Sequence, residues 1–493
     1  METDLLLAVV MCVTALIAAW WFHLLLKWSS GGHRRRRCEL TLPPGSMGLP
    51  LLGESLEFFA RIPSLQVVPF FKRRLERYGP VFKTNLIGKD MIVSLDPELN
   101  SYVLKQDNRA FQIWYPESLK RILGAVLEVT SSESLHKRMR TMVLRVFGPE
   151  NLRLVLLRDV QGAARSNLSS WADRPSIELK EAVSSMIFSV TAKLLINYDA
   201  STSSAGELWK HYDAFTNGLM SFPVNIPGTA FYKCLEGRKN IMEALKHMLD
   251  ERKKAAERRE TMDFLDLVVD ELKEKPVLDE DFCLDVLFGL LFASIHTTST
   301  ALTAALKFLT DNPKALQELA EENEHISKGR VGASSEITWE EYKSMKFTSN
   351  VIHESLRLAN IAPMLFRKAN QDVHMKGYTI PEGWTVMICP LETHLNPITY
   401  TDPNIFNPWR WKDISEPIGG SKDFLVFGLG LRYCLGADFA KLQIATFLHC
   451  LVTNYRWEVV SGGDMVLSPA LSFPNGFHVK LIKKLEFVMR HYK

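Results

Sequence analysis

The stretch 281–311, DFCLDVLFGLLFASIHTTSTALTAALKFLTD, is nearly uncharged along its whole length. A helix of that composition has no polar face to turn to water and must be buried all round. The rest of the chain therefore has to build neighbours on every side of it. Much of the remainder reads as helix. The charge-rich segment 246–275, with DERKKAAERRE inside it, reads as a solvated helix face. Short alternating runs at 81–95 (VFKTNLIGKDMIVSL) and 376–389 read as strands joined by glycine turns. The expected fold class is α+β with helix in excess: one long central helix and small β-sheets. A chain of 493 residues has room for two or three domains or one large one. No long linker, repeat or low-complexity tract follows residue 57, so 57–493 reads as one large domain.

The N-terminus is of another kind. LLLAVVMCVTALIAAWWFHLLL, residues 5–26, would span about 33 Å as a helix, the thickness of a bilayer's hydrocarbon core. Trp20 and Trp21 suit an interface. Glu2 and Asp4 precede the run, while Lys27 and Arg34 to Arg37 follow it. That asymmetry predicts a lumenal N-terminus and a cytosolic body. A cleaved signal peptide carries its basic residues before the apolar run; here they come after, so 1–28 reads as an uncleaved anchor. The arginines then face anionic lipid. LPPGSMGLPLLGE, 42–54, is a stiff connector, completing a linker over 29–56. A net charge of +3 gives no reason to expect a nucleic-acid partner. Seven cysteines, an odd count with no C-x-x-C, argue against a disulfide framework or zinc knuckle.

One cysteine stands apart. FGLGLRYCLG, 427–436, fits F-x-x-G-x-R-x-C-x-G through Phe427, Gly430, Arg432, Cys434 and Gly436. Five specified positions match by chance on the order of once in ten thousand chains of this length. Most cysteines are small buried hydrophobes, but this one sits between an arginine and glycine turns, ahead of an apolar helical pattern at 437–452. A dinucleotide-binding loop is excluded, because Tyr433 stands where G-x-G-x-x-G requires glycine.

The motif resembles the cysteine-ligand loop of the cytochrome P-450 family, the haem-thiolate monooxygenases, and the likeness extends from about residue 43 to the end. It implies the P-450 fold, a haem b cofactor (iron protoporphyrin IX) and Cys434 as the metal ligand. A thiolate ligand pushes electron density onto haem iron. Gly430 and Gly436 would let backbone N–H groups approach sulfur, and Phe427 would shield it. Arg432 would pair with a haem propionate, and a helix N-terminus after Cys434 would favour the thiolate.

Further motifs follow the same family order. In ESLR, Glu354 and Arg357 share a helix face; E-x-x-R alone occurs about once or twice by chance in such a chain. Arg410 in FNPWRW completes an implied Glu354–Arg357–Arg410 network that supports the haem loop. Arg367 resembles the family's propionate-binding arginine. In HKRMR, His136 and Arg140 stand where the family commonly has W-x-x-x-R. In FASIHTTST, Ala293, Thr297 and Thr298 match A-G-x-(acid)-T-(T/S), while Ser294 replaces glycine and His296 replaces the acid. Thr297 would then manage dioxygen and protons. His296 either relays protons, since imidazole titrates near neutrality, or is a satisfied structural histidine.

No flavin or nicotinamide motif occurs, so electrons must come from a partner, implied to be NADPH-cytochrome P-450 reductase. FPVNIPGTAF, 222–231, resembles a loop of plant enzymes that oxidise brassinosteroids, other sterols and triterpenoids. A steroid or triterpenoid is thus the expected lipophilic substrate, hydroxylated once or by steps up to side-chain cleavage. The implied pocket includes Trp114, Leu123, Phe222, Phe292, Ala293, Ala362, Met364, Leu365 and Phe473. Two rivals stay open at this point: a reductase-independent haem-thiolate isomerase or dehydratase, and a non-catalytic haem or sterol binder.

Overall fold

The computed structural model describes residues 11–22, 41–49, 52–63, 68–86, 88–124, 133–198, 205–219, 221, 224–255, 262–273, 278–328, 336–412, 420–467 and 470–484. Its contacts divide into two compact units: 1–60, 67–112 and 364–389 form one, and 61–66, 113–363 and 390–493 the other.

The first unit is built on a sheet. Its strands are β1 (Val81–Leu86), β2 (Lys89–Ser94), β3 (Phe111–Ile113), β4 (Leu365–Ala369) and β5 (Thr385–Ile388), in the order β1-β2-β5-β4-β3. β1 and β2 form the hairpin expected from 81–95, with Val81 opposite Ser94. β2 runs parallel to β5, and β5 antiparallel to β4. Both faces of this sheet shed water: Phe82, Val93 and Met387 share one face and Ile92 and Val386 the other, all fully buried. The second expected strand region, 376–389, splits into Tyr378–Ile380 and β5. The described part of the apolar N-terminal run is a helix, α1 (Met11–Phe22), with Leu16, Trp21 and Phe22 exposed. Residues 5–10 and 23–26 of that run, and Arg34 to Arg37, lie outside the described residues.

The second unit is helical. Its principal helices are α2 (Glu117–Leu123), α3 (Glu133–Phe147), α4 (Leu157–Ala172), α5 (Leu179–Ile196), α6 (Ala205–Gly218), α7 (Ala230–Lys254), α8 (Phe264–Lys273), α9 (Glu280–Asp311), α10 (Pro313–Lys328), α11 (Lys346–Ala359) and α12 (Ala437–Asn454). α9 is the predicted central helix. Asp279 caps it, accepting from the Phe282 N–H at 2.7 Å. α5, α7, α8, α11 and α12 pack around it. By length and composition α9 could cross a membrane, but 61% of its most apolar window is buried within the protein, so it is a core helix.

The segment 246–275 departs from a purely solvated face. It divides between α7 and α8, with 256–261 outside the described residues. Arg252 is drawn inward to bind Asp263 (2.8 Å) and Asp266 (2.5 Å), clamping the two helices together. Charge density on a sequence does not reveal that its ions are paired.

Candidate functional site

The cysteine loop is a set of tight turns leading into α12. Gly428 and Gly430 adopt φ +75° and +71°, a region open to glycine at little cost. The Gly428 N–H donates to the Leu425 carbonyl (2.9 Å) and that of Tyr433 to Gly430 (3.1 Å). The Cys434 N–H donates to the Phe427 carbonyl at 2.9 Å, folding the half-buried Phe427 back over the loop. The backbone of Gly436 hydrogen-bonds the Cys434 sulfur, but this position does not require glycine. It has φ −89°, and a Cβ there would lie 4.0 Å from the Cys434 Sγ, an ordinary contact. Gly428, which the motif leaves unspecified, is under the stronger backbone constraint.

Cys434 lies three residues before α12, whose N-cap is Gly436. The cysteine has solvent-accessible surface, yet protein crowds its sulfur. Burial pushes the thiol's pKa up, and hydrogen bonds from the Gly436 and Ala437 backbones draw it down. The thiolate is thus favoured by two oriented N–H groups and opposed by desolvation. The dipole argument from sequence named only the favourable half.

Behind this loop stands the predicted carboxylate–arginine network. Glu354 and Arg357 on α11 are fully buried. Arg357 is bidentate to Glu354 (2.9 and 2.8 Å), and Arg410 donates to the same carboxylate at 3.0 Å. The indole of Trp411 and the Asn407 N–H complete it, each at 2.9 Å. Arg357 also donates to the His394 and Pro403 carbonyls, both at 2.7 Å. A buried ion pair is sustainable when every lone pair and proton is used in this way. His394 went unnoticed in the sequence. Its Nε2 accepts the Leu425 N–H at 3.0 Å, so a backbone bond joins the network to the cysteine loop. Burial, then Arg357, pushes the His394 pKa down to about 3, so the ring is neutral and Nε2 stays an acceptor. Tyr400 adds a second tie, donating to the Asp423 carbonyl at 2.8 Å.

α3 reaches the same neighbourhood: Phe147 at its end packs on Phe439 of α12, centroids 5.1 Å apart. His136 is buried on α3 and Arg140 is half-buried one turn on, with no hydrogen-bond or ion-pair partner for Arg140 among the described residues. Arg138, between them, is committed to Glu271 of α8. Arg432 is half-buried in the loop.

α9 passes through this unit with one distinctive window. Ile295 and residues 298–306 are buried, whereas Phe292, Ala293, His296 and Thr297 keep accessible surface. The Thr297 hydroxyl donates to the Ala293 carbonyl at 2.5 Å, and that of Ser294 donates to the Leu290 carbonyl. Such i−4 back-bonding satisfies the hydroxyls within the helix. His296 stacks on Phe292 at 5.8 Å, planes 16° apart. Burial, then the positive charge of Lys180, pushes its pKa down to about 4. The expectation that His296 titrates near neutrality is therefore corrected: at pH 7 it is neutral.

The remaining expected residues divide between the units. Trp114 and Leu123 are half-buried, Ala362 exposed and Phe473 buried in the helical unit, where Phe473 stacks on Phe477. Met364, Leu365 and Arg367 belong to the sheet unit. There the Arg367 Nε pairs with the buried Asp107 at 3.3 Å, and its Nη1 donates to the Phe366 carbonyl, so two of its nitrogens are engaged locally. Phe222 lies outside the described residues.

The donor chemistry suits haem. Among the described residues, no three His, Cys, Asp or Glu side chains gather as a metal cage. A single soft thiolate suits a metal that brings its other ligands with it. Arg140 on α3 and Arg432 in the cysteine loop are both half-buried cations.

Comparison with known proteins agrees. The family pattern described as Cytochrome P-450 matches residues 43–482. The chain is 52% identical over 444 residues to Cytochrome P-450 87A3 of Oryza sativa subsp. japonica, covering 90% of this chain and 86% of that one. It is 41% identical to a cucurbitadienol 11-hydroxylase of Siraitia grosvenorii, covering 90% and 93%. Further plant relatives are named as hydroxylases of β-amyrin and cholesterol. Among solved structures, the retinoic-acid-bound cyanobacterial CYP120A1 superposes with a TM-score of 0.78 at 27% identity, over 90% of this chain and 100% of that chain.

Proposed function

Because this chain belongs to the cytochrome P-450 family and is a haem-dependent monooxygenase of plant triterpenoid and steroid metabolism, we propose that it hydroxylates one carbon of a triterpenoid or sterol. The observation that carries this reading is the accessible window of α9, where apolar Phe292 and Ala293 adjoin Thr297 just before the buried run 298–306. An apolar wall beside one hydroxyl suits a ring system with few polar groups. The relatives' printed substrates point the same way.

The haem, proposed to be haem b, supplies the oxygen-activating iron chemistry. Cys434 would hold the iron, with its sulfur stabilised by the Gly436 and Ala437 backbones. Arg432 and Arg140, with His136 in a supporting position, would hold the propionates. Glu354, Arg357 and Arg410 would fix the loop through His394 and Leu425. Thr297 would hold and pass protons beside the substrate. His296 would serve as a neutral hydrogen-bonding neighbour, because charging it at pH 7 costs about 4 kcal/mol for a pKa near 4. Within the helical unit, Trp114, Leu123, Ala362 and Phe473 would add apolar wall to the pocket.

Family members of this kind draw electrons from reductases; for this chain we propose the NADPH-dependent reductase of the endoplasmic reticulum. Residues 1–28 would anchor the chain with the N-terminus lumenal, 29–56 would link, and 57–493 would form the cytosolic catalytic part. The test is incubation of the membrane-bound protein with reductase, NADPH, isotope-labelled dioxygen and a triterpenoid and sterol panel. The reading predicts NADPH-dependent product carrying one labelled oxygen. Product without NADPH, or rearranged product without labelled oxygen, would favour the isomerase rival.

A further inference from the structure

α2 ends on Gly124, at φ +71°, with its N–H on the Lys120 carbonyl (2.8 Å). A Cβ on Gly124 would collide with Nη2 of Arg238 and Oδ2 of Asp285. The backbone of the helix end therefore lies directly on an ion pair. Arg238 comes from α7 and Asp285 from α9, and the side chains are only 20% and 12% exposed. The Arg238 Nη2 donates to Asp285 Oδ1, and its guanidinium sits 5.3 Å over the Phe288 ring. Three elements thus meet on one pair of charges.

Two further observations give the contact its meaning. Asp285, Phe288, Phe292 and His296 follow at three- and four-residue steps, one stripe of α9. Phe215 of α6 binds the stripe together, 5.0 Å from Phe288 and 5.4 Å from Phe292. The ion pair and the accessible window of α9 therefore share a face, about 10 Å apart along the axis between Asp285 and Phe292. Beside the pair runs a cavity of about 290 Å³, lined by Arg121, Lys239, Asp281 and Leu284 among others. On that side α2 is loosely packed; Ile122 is its one buried residue. A short helix with so few apolar contacts depends on directional ones for its position.

We propose that Arg238 and Asp285 form a latch beneath Gly124 that positions α2, and with it the pocket wall that Trp114 and Leu123 contribute. The proposal rests on the pocket reading above. Buried ion pairs contribute little net stability but fix register, which is what a pocket wall requires. Arg238 and Asp285 are positioning residues; they touch no reacting atom.

The test uses the full-length, haem-loaded protein. Amide exchange over 117–124 is predicted to quicken about tenfold in Arg238→Leu, and likewise in Gly124→Ala, which alters no charge, while 425–436 stays unchanged. The reversed pair, Arg238→Asp with Asp285→Arg, is predicted to restore slow exchange. If Arg238→Leu does not fold, Arg238→Lys replaces it, with a smaller rise predicted because Lys lacks the planar fork. In the same variants clotrimazole, followed by its Soret shift, is predicted to associate about tenfold faster, and imidazole at an unchanged rate, because only the bulky azole would meet the wall that α2 is proposed to form. Unchanged exchange over 117–124, or an equal rise over 425–436, overturns the latch. A wild-type protein without any azole-induced Soret shift contradicts the haem reading instead, and the exchange measurement then decides the latch alone.

Discussion

At the scale of single residues, the informative departure is His296. It stands where the family has an acid, and its sequence position alone invites a proton-relay role. Burial answers that question: a ring whose pKa is pushed down to about 4 is charged in about one molecule in a thousand at pH 7. Thr297, with surface on the accessible window, is the proton carrier we propose. Thr297→Ala should therefore lose about tenfold to a hundredfold in product per NADPH, and His296→Ala less than tenfold. Product and NADPH measured together decide it; a larger loss in His296→Ala would restore the histidine as the principal relay. Residue chemistry of this kind was legible in the sequence as far as identity and spacing go. The Glu354–Arg357 pair was legible that way, and Cys434 and Thr297 are proposed on the same ground. The direction of a pKa was not, because it depends on which atoms surround the group.

At the scale of elements, the support of the cysteine loop is the main result. The sequence named Glu354, Arg357 and Arg410, which the structure brings onto one carboxylate. It did not name His394 or Trp411, because their bonds run to groups in other segments: the Leu425 N–H and Glu354. A histidine bonded to a backbone N–H leaves no periodic signal. Likewise α9 was legible because its composition declares burial, whereas the division of 246–275 was not, because pairing of Arg252 with Asp263 and Asp266 is tertiary. Glu354→Ala leaves Arg357 buried and unpaired at full burial. It should lower stability by about 3–5 kcal/mol, read as a lower denaturant midpoint with early loss of haem absorbance. A midpoint within experimental error of wild type would show the network to be dispensable.

At the scale of the whole molecule, two bulk properties follow. Removal of residues 1–28 should convert an integral protein into one extractable by alkaline carbonate, with haem absorbance kept; continued resistance to extraction would place a membrane span elsewhere. Stability should also depend on pH in one direction. Burial depresses His296 and His353 to about 4 and His394 to about 3. In the unfolded chain these rings take up protons near pH 6.5, so below that pH the unfolded state binds more protons. Stability is complete above pH 6.5 and declines toward pH 4, by up to about 1.4 kcal/mol per pH unit for each histidine. Denaturant midpoints at pH 7 and 5 measure the slope, and His394→Gln, which retains an acceptor for the Leu425 N–H, should make it shallower. The central claim, that fold, loop and network together hold one thiolate on haem iron, is tested most directly by the reduced carbon monoxide spectrum of Cys434→Ser. Loss of the red-shifted Soret band of the wild type is expected, because a hydroxyl cannot replace thiolate donation; the same band persisting in folded Cys434→Ser protein would rule Cys434 out as the ligand.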